Sequence, residues 1–494
     1  MSDKSPLSLI EHYLTLPLRK LLNNNLTPNQ IRLGSFILAL STCLLDASVV
    51  TFSLFTTNFM KELGYTQVDI NIIAGCMLLG LYLTLPALGW LADSHGPVLL
   101  GIIGLLLTPG YLLALWVYTN YNINQGENII NSTWLMAIAF SIIGMGTSSS
   151  YFCSLLTCAK IFPEKKGLSI SLPVSFYGVS SLILSWIFSW GIFKDESSGK
   201  MSVHKVFKFL AILYAFVGLA NWLSSVVVSI EKEVVFEKLI DEERLEANGV
   251  NNSAYGSTDN QEHISVLDSG VIPADTHKVK FKRFICDPSM PLVLFALFFL
   301  AGPLELFIAN LGSLVFTITG DSSESTVSKQ VALFSIFSTV TRLSLGVITD
   351  FFDGCKATVR MIIFSSVGVS ILGFILIANG YGSSPSSPFG FDLISAIVGV
   401  GYGSAFTLFP TLSATVWGVD ILGSTWGLFL AAPAVGSLVC GLFYAREWDQ
   451  LCQEGNSTCL SWPFSWFIAG FILSAILLEV GWRSWWKDKR KINT

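Results

Sequence analysis

The chain has 494 residues, of which 52% are hydrophobic and only 13% are charged, and its formal net charge at pH 7 is −5. Charged residues make up about a quarter of an ordinary soluble protein, so this composition excludes a water-soluble globular fold and indicates a chain surrounded by membrane lipid. The net charge says little about the partners of a chain surrounded by lipid, and we expect no nucleic-acid partner.

Twelve apolar stretches are long enough to cross a bilayer as helices, which takes roughly 20 residues each. They begin near Leu33, Asn71, Leu99, Trp134, Leu168, Val206, Pro291, Val331, Arg360, Phe391, Leu422 and Phe464. The predicted fold is all-α, a polytopic membrane protein with twelve transmembrane helices in two six-helix pseudo-repeats. We expect a cytosolic N-terminal segment at 1–32, a bundle at 33–230, a cytosolic linker at 231–288, a second bundle at 289–484 and a cytosolic tail at 485–494.

The orientation of the chain follows from its basic residues. Of the 29 Lys and Arg, 21 lie on the side of the two ends and the middle loop, 7 lie on the other side and Arg342 lies inside a span. This bias predicts that both ends and the middle loop are cytosolic. The first apolar stretch follows about thirty polar and amphipathic residues, without the order of a secretory signal peptide, so we expect the N-terminus to be retained.

The opposite side carries two candidate modifications. The sequons that start at Asn131 and Asn456 both fall there, and they are the glycosylation candidates. Cys452 and Cys459 bracket the last loop on this side, where a short disulfide is chemically allowed and an unpaired pair is the alternative.

The linker has two parts. It opens as a charged stretch from Glu231 to Glu246 that we expect to be helical, and it then becomes rich in Gly, Ser and Asn. Such a composition is typical of a partly disordered tether, and a regulatory segment is the alternative.

Pairs of residues recur in corresponding spans at nearly one separation. The pairs are Asp46 and Glu305, Gly89 and Gly346, Asp93 and Asp350, Gly144 and Gly399, and Gly178 and Gly436, with separations between 255 and 259 residues. A single period of this length predicts two homologous halves, as in transporters whose substrate path runs between the halves. Pro173 shortly precedes Gly178, and Pro433 shortly precedes Gly436. These prolines indicate either kinks that bend during gating or static kinks.

The loop after the second span carries the pattern Gly89-Trp90-Leu91-Ala92-Asp93-Ser94-His95-Gly96. Its first glycine permits close helix contact, and Asp93 can cap or pair across neighbouring helix ends and hold one conformer. Gly346 and Asp350 repeat the pattern in the second half. These residues form the predicted gating motif. The pattern resembles the loop between spans two and three of the major facilitator superfamily, whose usual basic residues after the Asp are absent here, so the partner of Asp93 stays open.

Asp46 and Glu305 are acids well inside spans, about 20 Å from the cytosolic edge at 1.5 Å per residue. Charged groups at this depth are costly and mark functional sites by default, and a low dielectric favours the protonated form of an acid. Both acids are therefore candidates for a proton pathway. The alternative is that a hydroxyl or backbone group simply holds each acid in place.

Arg342 lies about 12 Å from the cytosolic edge, because it precedes Asp350 by eight residues. It stays charged and offers a planar fork to a carboxylate. It is a candidate for holding an anionic substrate, or for pairing with Glu305 or Asp46 as a structural switch.

The sequence predicts no enzyme. The histidines are scattered, and we find no Ser/His/Asp group, no nucleotide loop and no metal cluster. Gly399-x-Gly401 has no strand before it, which excludes a nucleotide-binding motif. We therefore expect no cofactor and no metal.

Several segments resemble the fungal monocarboxylate-transporter-homologue branch of the major facilitator superfamily, and within it the vacuolar-membrane transporter. They are Ala92-Asp93-Ser94-His95-Gly96-Pro97, Ser169-Ile170-Ser171-Leu172-Pro173 with Tyr177-Gly178, Gly302-Pro303-Leu304-Glu305-Leu306-Phe307-Ile308-Ala309-Asn310, Thr341-Arg342-Leu343, Pro410-Thr411-Leu412 and Ala432-Pro433-Ala434-Val435-Gly436-Ser437. The resemblance implies a twelve-helix transporter in the vacuolar membrane with cytosolic termini. Monocarboxylate transporters proper also carry a Lys in the first span and an acid one turn before the Arg; here the first span has no basic residue and Ser338 precedes Arg342.

The function expected from these features is secondary active transport of a small solute, such as an organic anion, by alternating access and with proton coupling. The alternatives are a carrier of amino acids or another metabolite without proton coupling, and a non-transporting membrane sensor. We expect membrane lipid and the solute as the partners, and a monomer.

Overall fold

The structure of the chain is a computed structural model that describes residues 14–15, 27–121, 129–195, 201–247, 274–320, 324–352, 356–381, 390–451 and 457–487. Its α-helices are Pro28–Cys43, Ser53–Glu62, Gln67–Leu83, Leu85–His95, Val98–Gly104, Leu107–Asn120, Ile129–Ile161, Lys166–Phe188, Val203–Ala247, Ala274–Ile285, Ser289–Ala309, Leu311–Thr319, Glu324–Phe351, Lys356–Ala378, Phe391–Trp417, Leu422–Phe429, Ala431–Leu451 and Ser461–Lys487. Within the described ranges the only strand-like pairing is one isolated bridge between Lys194 and Met201.

The described residues contain twelve helical segments that are long and apolar enough to cross a membrane. These spans are Asn29–Phe52, Ile72–His95, Val98–Asn120, Ser132–Ile161, Lys166–Phe188, Val203–Val228, Ser289–Ala309, Thr326–Phe351, Arg360–Ala378, Phe391–Trp417, Val419–Glu447 and Ser461–Ser484. The predicted all-α, twelve-span fold is confirmed.

The first span is not one continuous helix. The α-helix Pro28–Cys43 ends just before Asp46, and a 3-10 helix, Ala47–Phe52, precedes the next α-helix, Ser53–Glu62. A break of this kind is tolerated at membrane depth only where protein covers it. Asp46 therefore lies in the irregular backbone between two helices. The continuous apolar pattern of the sequence did not predict this break.

The seventh span continues into a second helix across a similar break. Its α-helix Ser289–Ala309 contains Pro303 and ends at Asn310, whose dihedral angles (φ −111°, ψ 18°) leave the helical region. The helix Leu311–Thr319 then begins at once. Glu305 lies between the proline and this break.

The chain folds into two compact units. Unit 1 comprises Met1–Glu164, Ser180–Phe281 and Gly418–Gly427, and unit 2 comprises Lys165–Val179, Lys282–Trp417 and Leu428–Thr494. Unit 1 thus includes the start of the eleventh span, and unit 2 includes the first part of the fifth. The domain limits expected from the sequence stay a prediction.

An aromatic cluster forms much of the core of unit 1. Its fully buried rings include Phe55, Phe59, Tyr111, Phe140, Phe207 and Tyr214. Tyr111 and Tyr214 stack with their ring centroids 5.6 Å apart, and the Tyr214 hydroxyl donates to the Leu45 carbonyl at 2.8 Å. This bond satisfies a backbone group at the break of the first span, where no helical partner is available.

Glycines let spans approach closely in both units. A Cβ on Gly144 would collide with the Met77 carbonyl of the second span, and a Cβ on Gly399 would lie 2.7 Å from the Phe334 carbonyl of the eighth. Small residues permit such backbone contact in lipid, where no hydrophobic force joins helices. The repeated Gly-x-Gly therefore packs helices.

The linker contains the helix predicted for its charged stretch and a second helix that its composition did not predict. The helix of the sixth span runs on to Ala247, which includes the charged stretch, and a further helix, Ala274–Ile285, precedes the seventh span. Within unit 1, His277 of this second helix lies 3.2 Å from the Ser424 hydroxyl, and Lys280 pairs with Asp420 at 2.8 Å. Residues 248–273, predicted as a tether, lie outside the described residues.

Candidate functional site

Asp46 is completely buried in unit 1, with an exposed fraction of 0%. The Ser150 hydroxyl donates to its Oδ1 at 2.7 Å, and its Oδ2 has no hydrogen-bond partner among the described residues. No basic side chain described in the structure forms an ion pair with it. A carboxyl group in this setting can hold a proton on Oδ2, because a lone buried charge is expensive.

A chain of hydrogen bonds leads from Asp46 into unit 1. The Asn221 amide donates to Ser150 at 2.5 Å, and the Ser154 hydroxyl donates to the Asn221 Oδ1 at 2.8 Å. Thr42 lies 2.7 Å from Ser154. All four partners are almost completely buried, so this polar chain joins the first, fourth and sixth spans inside an apolar core.

Arg342 is nearly buried in unit 2, with an exposed fraction of 6%. Its Nη1 donates to the Val174 carbonyl of the fifth span at 2.6 Å, and its Cζ lies 5.5 Å from the centroid of the Tyr402 ring. Its Nε has no partner among the described residues. The guanidinium thus keeps a donor that a ligand could use.

Tyr402 links the two predicted charged residues of unit 2. Its hydroxyl donates to the Glu305 Oε1 at 3.0 Å, while its ring faces the Arg342 guanidinium. Arg342 and Glu305 themselves are not among the ion pairs of the described residues, which are all closer than 4.0 Å. Among the described residues, Arg342 and Glu305 therefore form no ion pair, and Tyr402 contacts both groups instead. Glu305 is partly exposed.

Gly178 makes room for the arginine. A Cβ at this position would lie 2.8 Å from the Arg342 Nη1, which is shorter than a normal van der Waals contact. Pro173 lies inside the same helix, Lys166–Phe188, one residue before the Val174 carbonyl that accepts from Arg342. The Pro173 and Gly178 pair therefore shapes the helix surface on which the guanidinium lies.

Asp93 has two partners in unit 1. Its Oδ1 accepts from Lys160 at 3.0 Å, and its Oδ2 accepts from the Ser424 backbone N–H at 2.5 Å. That N–H lies in the first turn of the helix Leu422–Phe429, where unpaired donors and the helix dipole favour an anion. A Cβ on Gly89 would collide with the Gly423 carbonyl, so this glycine allows the approach.

Gly96 ends the helix that carries Asp93. Its φ of 103° lies in the left-handed region that side chains disfavour. The chain can therefore turn sharply into the third span only with glycine at this position.

Asp350 repeats this arrangement in unit 2. It accepts from the Gly167 N–H at 2.6 Å and the Leu168 N–H at 2.8 Å, which lie at the start of the helix Lys166–Phe188. A Cβ on Gly346 would collide with the Ser171 side chain. No cation pairs with Asp350 in the part of the chain that the structure describes. Trp417 stands 257 residues after Lys160, in the corresponding place of the repeat.

Sequence reasoning missed four of these residues. Tyr402 directly follows the Gly399-x-Gly401 run, and Lys160 occupies the end of the fourth span, so both had local signals. Ser150 and Asn221 had none, because single small polar residues are common in membrane helices.

The remaining site predictions concern the non-cytosolic loops. Asn131 lies in the helix Ile129–Ile161, while Asn456 and Cys452 lie outside the described residues. Cys459 is disulfide-bonded, and its pairing with Cys452 stays a prediction, as does glycosylation. Among the described residues, no group of three or more His, Cys, Asp or Glu could hold a metal.

Solved structures of membrane transporters share this fold. A proton:xylose symporter, XylE, superposes with a TM-score of 0.64 at 12% identity, over 91% of this chain and 94% of that one. A bacterial homologue of the iron transporter ferroportin superposes with a TM-score of 0.60 at 14% identity, over 93% and 100%. At such identity the likeness concerns the fold alone.

Sequence relatives cover nearly the whole chain. "Probable transporter MCH1" of Wickerhamomyces anomalus is 40% identical over 93% of this chain and 89% of its own length. The protein of that name in Saccharomyces cerevisiae is 32% identical over 98% and 99%. A family model described as Major Facilitator Superfamily matches residues 36–441. With twelve spans, repeated acid-to-helix contacts and these relatives, the chain belongs to the Major Facilitator Superfamily, a family of membrane transporters and not of enzymes.

Proposed function

We propose that this transporter carries a small solute with a carboxylate group across the vacuolar membrane by alternating access, with a proton as the coupling ion. The vacuolar location and the cytosolic termini rest on the family branch that the sequence resembles and on the distribution of basic residues. The coupling rests on Asp46 and Glu305, and the solute class rests on Arg342.

The observation that carries the solute class is that Arg342 forms no ion pair among the described residues, although Glu305 interacts with it electrostatically at longer range. The described neighbours of Arg342 are a carbonyl, a tyrosine ring and a glycine, and no carboxylate lies within ion-pair distance in the described residues of unit 2. A buried charge without a partner costs several kcal/mol. An anionic solute that supplies a carboxylate would remove this cost, and the planar fork of arginine suits a carboxylate.

Proton coupling is supported by Asp46 and Glu305. Both acids lie in spans without an ion-pair partner among the described residues, and each accepts one hydroxyl hydrogen bond, from Ser150 and Tyr402 respectively. Acids in this setting can bind and release protons as their surroundings change during transport. The proton can then compensate the negative charge of the solute.

Alternating access is supported by the two acid-to-helix contacts. Asp93 accepts from the N–H of Ser424, and Asp350 accepts from the N–H of Gly167. These two donors are 257 residues apart, which is the separation of the repeat. Charged contacts of this kind are worth about 1.5–3 kcal/mol each. Breaking and remaking them would give a two-state equilibrium that solute and proton binding can shift.

The test is a flux measurement in liposomes that contain the purified chain and a trapped pH dye. A panel of small mono- and dicarboxylates, neutral amino acids and sugars is added with and without a proton gradient. We expect one group of carboxylates to move protons with the solute, and Arg342→Ala to stop both movements. Arg483→Ala is the matched control, because Arg483 is 75% exposed and its partner is Glu479.

The same assay separates the alternatives. Flux that ignores the proton gradient would indicate a carrier without coupling, and transport restricted to sugars or neutral amino acids would refute the carboxylate class. An absence of flux for every solute, together with unchanged vacuolar metabolites in cells lacking the protein, would indicate a sensor. Metabolite profiles of such vacuoles also supply the candidate solutes.

A further inference from the structure

The Asp46 carboxyl group lies at the end of a hydrogen-bond chain whose donors all point toward it. Ser150 gives its hydroxyl proton to the Asp46 Oδ1, so its oxygen must accept from the Asn221 amide nitrogen. This assigns the orientation of the amide, because the reverse orientation would place two acceptors face to face. The Asn221 Oδ1 is then free to accept from Ser154.

Such a chain favours the ionised form of the acid. Each donor in a hydrogen-bond chain polarises the next in a medium of low dielectric, and a donor to a carboxylate stabilises the anion relative to the neutral acid. Burial acts in the opposite direction, and Asp46 Oδ2 has no partner among the described residues. The donor chain and burial thus have opposite effects on the proton affinity of Asp46. A stronger donor chain lowers this affinity.

Among the described residues no cation forms an ion pair with Asp46. The titratable side chains of this part of the chain that interact electrostatically with it are Cys43 on its own span, Cys153 on the fourth and Tyr214 on the sixth. Thiols and phenols have ordinary pKa values of about 8.5 and 10, so they are mainly neutral between pH 5 and 8. Asn221 is also neutral at every pH, so its effect on Asp46 is a constant bias.

We propose that Asn221 is a positioning residue that sets the proton affinity of Asp46 through Ser150, and that it thereby fixes the pH range in which the transporter couples to protons. The proposal rests on the proposed function, since it assigns a role to Asn221 only if Asp46 takes up a proton. Asn221 does not touch the acid, and it acts by orienting and polarising the Ser150 hydroxyl.

The test does not need the solute. Infrared difference spectra of the purified chain in liposomes, recorded as the buffer pH is changed, show the carbonyl band of a protonated carboxylic acid. The band that Asp46→Asn removes belongs to this residue. We expect Ser150→Ala to move the midpoint of this band to higher pH by about one unit, which corresponds to the loss of roughly one hydrogen bond to the anion. Asn221→Leu should move the midpoint in the same direction by less, because the Ser150 donor stays but is no longer oriented and polarised.

Two further variants separate positioning from folding. Asn221→Gln keeps an amide and should restore the midpoint at least in part. Ser224→Ala removes a buried hydroxyl from the same helix that bonds only to the Asn221 backbone carbonyl, and it should leave the midpoint unchanged.

Each outcome decides one claim. A band that is lost in Asp46→Asn but has the parental midpoint in Asn221→Leu, whatever the effect of Ser150→Ala, would overturn the role of Asn221 and leave the proposed function standing. A band that Asp46→Asn does not alter would show that Asp46 does not titrate, which would overturn both the inference and the part of Asp46 in coupling. If Asn221→Leu fails to fold, Ser150→Ala and Asn221→Gln carry the test.

Discussion

Asp93 accepts a hydrogen bond from the backbone N–H of Ser424, a residue 331 positions later in the chain. Asp350 makes the equivalent contact with Gly167 and Leu168. Both acids therefore bind the first turn of a helix from the opposite sequence half. The two contacts differ in one respect, because Asp93 also pairs with Lys160, whereas Asp350 has no such cation among the described residues.

This difference predicts unequal effects of two matched variants. Asp93→Asn weakens a charge-assisted bond and leaves Lys160 without its partner, whereas Asp350→Asn weakens only bonds to backbone N–H groups. We expect both to lower thermal stability in detergent, by about 1–3 kcal/mol, with the larger loss for Asp93→Asn. Lys329→Met, which removes a pair between Asp392 and a lysine whose side chain is 60% exposed, should cost less than about 1 kcal/mol. Equal stability of Asp93→Asn and the parent would show that the contact carries no energy.

Gly178→Ala tests the position of the arginine. The added Cβ would lie 2.8 Å from the Arg342 Nη1, so the guanidinium must move. We expect KM for the solute to rise about ten-fold, equivalent to about 1.4 kcal/mol, with little change in melting temperature. Gly368→Ala is the control, because nothing lies within 4 Å of its Cβ. An unchanged KM in both Gly178→Ala and the bulkier Gly178→Val would refute a role for this contact.

Tyr402→Phe separates the two contacts of the tyrosine. It keeps the ring that faces Arg342 and removes the hydroxyl that donates to Glu305. We expect the pH profile of uptake to shift while KM stays near the parental value. Tyr402→Ala should raise KM as well, because a buried cation–π contact is worth up to about 2 kcal/mol. Identical kinetics for the two variants would show that the hydroxyl and the ring have no separate roles.

Asp69, before the second span, predicts a pH effect on stability. The Thr66 hydroxyl donates to its carboxylate at 2.7 Å and the Thr66 N–H at 2.8 Å, and these bonds lower the pKa of Asp69. A lowered pKa stabilises the fold above the unfolded value of about 3.9, and this contribution is lost as the pH falls through the folded value. Asp69→Asn should therefore melt earlier than the parent near pH 7, and the difference should shrink below about pH 4. A difference that is constant with pH would exclude the charge as its cause.

The sequence predicted two kinds of feature: those that repeat along the chain, and charged residues whose burial in a membrane costs much free energy. Twelve apolar runs gave the spans, and the cost of burying Asp46, Glu305 and Arg342 marked them as functional candidates. The break beside Asp46 has no such signal in the sequence, and the Leu45 carbonyl at the break accepts a tertiary hydrogen bond from Tyr214, which is remote along the chain.

The partners of the charged residues were equally hidden. Asn221 and Tyr402 are remote from Asp46 and Arg342 along the chain, and single polar residues give no periodic signal. The Arg342 contact with the Val174 carbonyl depends on the absence of a side chain at Gly178. The sequence repeat identifies Gly178, but only the fold shows that the Arg342 guanidinium lies where a side chain would be.

The central claim is that Arg342 binds the carboxylate of the solute, and the most direct measurement compares uptake by Arg342→Ala and Arg342→Lys with the parent in the same liposomes. We expect no saturable uptake by Arg342→Ala. For Arg342→Lys, which keeps the charge but loses the planar fork, KM should rise at least about ten-fold. Uptake by Arg342→Ala with the parental KM, in a protein that is folded by its melting curve, would contradict the account.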